Sequence, residues 1–70
     1  MGKAKLILNH IIQEKAQGNT FQELNTQMKI MMKGVFVKAI LEDQLPDEPE
    51  LINKLKEIAA EFNVDVSHIE

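Results

Sequence analysis

Seventy residues with a formal net charge of −3 and no cysteine make one domain, residues 1–70, that neither a disulfide nor a thiolate-bound metal can staple. All eight basic residues are lysines, set against eleven acids, a balance poorly matched to nucleic acid or to an anionic membrane surface. With 44% apolar residues the chain is no disordered tail, and at this length its apolar surface must pack closely or be completed by another chain.

Residues 4–17 read as a first helix. Ala4, Ile7, Leu8, Ile11 and Ile12 share a broad face, with Asn9, His10, Gln13 and Gln17 opposite and Leu6 on the polar side. The doubled pairs Ile7/Leu8 and Ile11/Ile12 predict packing against two neighbours. Gly18 and Asn19 end the helix.

Thr20 is read as the N-cap of a second helix, with Glu23 completing a capping box. Phe21, Leu24, Met28, Met31, Met32 and Val35 fall in an arc of about 100°. Ile30 points away from that arc and, like Leu6, is left over on an outer face. Lys29 and Lys33 complement the helix dipole, and Gly34 is the stop signal. The short loop before Thr20 predicts an antiparallel hairpin of the first two helices.

Residues 35–44 are read as a short helix, since a lone Val35–Val37 strand would have no partner. A continuous helix over residues 21–43, bent at Gly34, is the alternative. Asp47 is then expected to cap a last helix, with Glu50 three residues on and Pro49 in the first turn. Leu51, Leu55, Ile58 and Phe62, flanked by Ile52 and Ala59, form its apolar stripe. Asn63 is its expected left-handed stop, after which Val64, Val66 and Ile69 fold back on the bundle.

The run 58–64 resembles the first helix and turn of a helix-turn-helix DNA-binding unit. Ala59 matches the small residue where the two helices touch, Asn63 stands where glycine is usual, and Phe62, Val64 and Ile69 match apolar positions. The resemblance implies DNA contact by the residues beyond the turn, but Asp65, Ser67, His68 and Glu70 would repel phosphate rather than bind it.

Little here supports chemistry. His10 and His68 are expected on solvated surface, and one histidine with Glu14 falls short of a zinc site. Glu42, Asp43, Asp47, Glu48 and Glu50 form an acidic patch without the alternation or central glycine of a calcium loop. Ser67 has no positioned base. No catalysis, metal, cofactor or small-molecule substrate is expected. No apolar run suits a membrane span, no signal peptide is recognised, and a cytoplasmic location is the resulting expectation.

The fold expected is all-α, a small bundle of three to four short helices completed by homodimerisation. The expected function is non-enzymatic protein–protein interaction, as an adaptor or regulatory module, through a methionine-rich helix face. Its interface residues are Phe21, Leu24, Met28, Ile30, Met31, Met32 and Phe36, and its partner is a second copy. Two alternatives are a DNA-binding regulator with a truncated helix-turn-helix-like unit, drawing on Lys3, Lys5, Lys29, Lys33 and Lys38, and an assembly chaperone for one partner.

Overall fold

The computed structural model describes residues 2–69. Its elements are α1 (Lys3–Ala16), α2 (Thr20–Met31), α3 (Val37–Leu41), α4 (Pro49–Glu61) and a C-terminal 3₁₀ turn (Ser67–Ile69). There is no strand among the described residues, so the all-α expectation holds. No helix there is long and apolar enough to cross a membrane.

The centre of the bundle is α1. It packs against α2, α3, α4 and the 3₁₀ turn, and this explains its doubled apolar positions. Ile7, Leu8, Ile11 and Ile12 are all buried, with Ala4 and Ala16 beside them. Each such aliphatic side chain contributes about 1.5–3 kcal/mol on full burial. Leu55, Ile58 and Ala59 of α4, Val37 and Ile40 of α3, and Ile30 of α2 complete the same core.

Helix starts differ from the local capping patterns in two places. Asn19, not Thr20, caps α2: its backbone is extended and its Oδ1 accepts from Gln22 N–H at 3.2 Å. Thr20 is therefore the first helical residue, and Glu23 lies one position too far on to close a box. The second difference is larger. Asp47 does not cap α4, whose N-cap is Glu48, with Pro49 at the first helical position. Its carboxylate reaches across the fold and caps α1, accepting from Lys3 N–H at 2.8 Å and Ala4 N–H at 3.1 Å. Two of the orphan donors of α1 are thus satisfied by a residue 44 and 43 positions away from them.

Helix stops keep closer to the sequence pattern. Asn63 is left-handed at φ 59°. Val64 N–H donates to Ala59 O at 2.8 Å and Asn63 N–H to Ala60 O at 3.1 Å, a Schellman motif. Asp43, at φ 56°, ends α3 in the same way, through Gln44 N–H to Ala39 O at 2.8 Å. Gly34 at φ 89° turns the chain after α2, so α2 and α3 are separate helices and the continuous 21–43 helix does not form. Val64 and Val66 are buried, and Ile69 packs against the same core as expected.

Candidate protein-docking face

Periodicity placed the apolar stripe of α2 on one side, and the structure turns that side outward. The inward side carries Thr26 and Ile30, both buried. Ile30 has 0% exposure, which corrects its assignment as an outer-face interface residue. It lies opposite Phe21 on the helical wheel, and that opposite face is the one that meets α1. Among the described residues no buried side-chain nitrogen or oxygen lacks a partner, so burying Thr26 leaves no unpaired polar atom there.

The remaining interface candidates share one surface. Phe21, Leu24, Met28, Met31, Met32 and Phe36 keep between 49% (Met31) and 86% (Met32) of their surface exposed. Phe21, Leu24, Met28 and Met31 are three, four and three residues apart. That is the two-position seam by which one helix packs along another. The flanking positions Thr20, Asn25, Gln27 and Met32 are uncharged.

Phe36 joins this surface for a local reason. Val37 N–H donates to Val35 O at 3.0 Å, and Phe36 has φ −84° and ψ 79°, an inverse γ-turn. The turn sends Val35 and Val37 into the core and leaves the Phe36 ring outside. Beside it, Met31, Gly34, Phe36, Ala39, Glu42 and Leu45 line an open groove of about 760 Å³. A second depression of about 240 Å³ lies between Phe36, Leu45, Pro46 and Leu51. Met31 belongs to both seam and groove, so the two are continuous.

Together with Leu45, exposed at 37%, the six exposed interface candidates make seven large apolar side chains that present on the order of 800 Å². The largest patch on an ordinary monomer is about 300–600 Å². What the surface offers chemically is apolar contact and, from methionine, adaptable packing.

Sequence reasoning missed one pairing. His10 and His68, the only two histidines, meet edge to face with ring centroids 4.6 Å apart and planes at 76°. Leu6, Asn9, Gln13 and Ile69 surround them in a shallow hollow. Nothing local signals a contact between residues at opposite ends of the chain. Among the described residues no three His, Cys, Asp or Glu side chains gather as metal ligands. The acidic patch is likewise divided among structural tasks. Asp43 pairs with Lys5 at 3.2 Å. Two backbone donors on Asp47 hold its carboxyl below the usual 3.8.

The helix-turn-helix-like stretch keeps its small buried Ala59, but in place of a recognition helix it has the short 3₁₀ turn, lying against α1. Asp65 accepts from Ser67 N–H at 2.9 Å at the start of that turn, and its carboxyl is lowered by the bond. Of the lysines considered for a basic surface, Lys5 pairs with Asp43 and Lys33 with Glu61 at 2.8 Å. No protein-family model, curated protein or solved structure matches this chain.

Proposed function

We propose that this protein is a small, non-enzymatic interaction module whose working surface is the outward face of α2 together with the adjoining groove of α3. One observation carries the reading: α2 gives its poorer apolar side to its own core and its four-residue seam to solvent. Exposed apolar surface of this extent is costly in water and marks docking sites. The partner presents an apolar helix face, since a seam at this spacing accepts knobs from another helix.

The test is a Met28→Glu, Met31→Glu variant read by circular dichroism and by binding of an apolar-surface dye in dilute solution. The reading expects wild-type helicity with lost dye binding. A variant that unfolds would make the seam part of the core and overturn the reading.

A further inference from the structure

We infer that the occupant of the α2 seam is a second copy of this chain, docked with the two α2 helices antiparallel. Phe21 then lies against the partner's Met31, and Leu24 against the partner's Met28. The inference rests on the docking-face reading above and adds the partner and its direction.

The seam is symmetric under reversal. Phe21 and Met31 stand equally far from the point midway between Leu24 and Met28. A two-fold axis through that point therefore pairs every seam residue of one copy with a seam residue of the other. Each layer of the antiparallel pair matches a shape-fixed side chain, Phe21 or Leu24, with a methionine that can mould to it. The end layers gain sulfur–aromatic contacts. A parallel pair would instead stack two methionine-only layers beside a Phe–Phe layer, losing that complement.

The groove argues the same way. It opens at the C-terminal end of α2, beside Met31 and Phe36. Antiparallel docking delivers the partner's Phe21 to that end, where an aromatic side chain can enter it and occupy part of it. Charge permits the pairing. Each copy carries −3, yet the seam flanks Thr20, Asn25, Gln27 and Met32 bring no like charges together. Area reaches the size of a standard stable interface, about 800 Å² per partner, when the pair covers the groove as well as the seam.

The chain has no cysteine, so single cysteines report the geometry directly. Phe21→Cys and Met31→Cys chains, one carrying a mass tag, are mixed and oxidised mildly. The antiparallel pair predicts that the mixed disulfide dominates. Two Phe21→Cys sites would lie about 15 Å apart along the axis, beyond the roughly 7 Å a disulfide spans. Predominant homodisulfides, or the statistical mixture of random collision, would overturn the antiparallel pair. A wild-type solution mass of one chain at all concentrations would overturn the second copy as occupant. The dye and dichroism test then judges the docking face separately.

Discussion

Ile30 in the last turn of α2 and Met32 at its C-cap stand two residues apart, yet Ile30 has 0% of its surface exposed and Met32 keeps 86%. Periodicity groups the residues that share a face but does not say which face meets the protein. Here the core beside α1 is already filled by Ile7, Leu8, Ile11 and Ile12 with α3 and α4. From α2 to the start of α3 the chain adds one large side chain to it, Ile30, with the smaller Thr26 and Val35. The wide methionine–phenylalanine stripe is left outside.

The carboxylate of Asp47 caps the N-terminus of α1. Asp47→Ala should lower the thermal midpoint by a few degrees. Its pH dependence has a definite sign. The folded pKa lies below 3.8, so the contribution is complete above the unfolded value and is lost as pH falls through the folded one. The gap in midpoint between wild type and Asp47→Asn should be constant near neutrality and close below about pH 4. A gap that widens in acid would contradict the cap.

Gly2 is constrained by the same carboxylate. A Cβ there would sit 2.8 Å from Asp47 Oδ1 and 3.3 Å from Oδ2, although its φ of −88° suits any residue. Gly2→Ala should therefore lower the thermal midpoint more in wild type than in the Asp47→Ala background, where only the poorer N-cap remains. Additive losses in that double-mutant cycle would show that the two sites are not coupled.

Asn63 holds the left-handed stop of α4 at φ 59°. Asn63→Ala should cost about 1 kcal/mol, because a Cβ without a compensating polar side chain is disfavoured there. Asn63→Gly should be neutral or slightly stabilising. Urea midpoints for the pair measure this, and an alanine variant as stable as glycine would contradict the assigned stop.

Much of this fold was readable in the chain. The broad face of α1, the break at Gly34, the short α3 and the Asn63 stop all depend on near neighbours, which local spacing records. What was not readable is long range. The spacing from Asp47 to Glu50 satisfies a capping box, but the Asp47 side chain is engaged by α1. Asn19 beside Thr20 offered two caps, and the extended backbone at Asn19 selects the first. The His10–His68 contact and the inward turn of Ile30 are set by where whole helices pack. The proposed docking residues Phe21, Leu24, Met28, Met31, Met32 and Phe36 were nameable from pattern alone, but their exposure was not.

The most direct measurement of the central claim is chemical unfolding of Ile30→Ala and Leu24→Ala over a wide range of protein concentration. An outward seam and an inward Ile30 predict that Ile30→Ala costs about 2–5 kcal/mol at every concentration. The cost of Leu24→Ala should shrink on dilution to the roughly 0.5 kcal/mol of a surface change. A Leu24→Ala loss that stays large in dilute protein, with Ile30→Ala the milder change, would place the seam in the core and contradict the account.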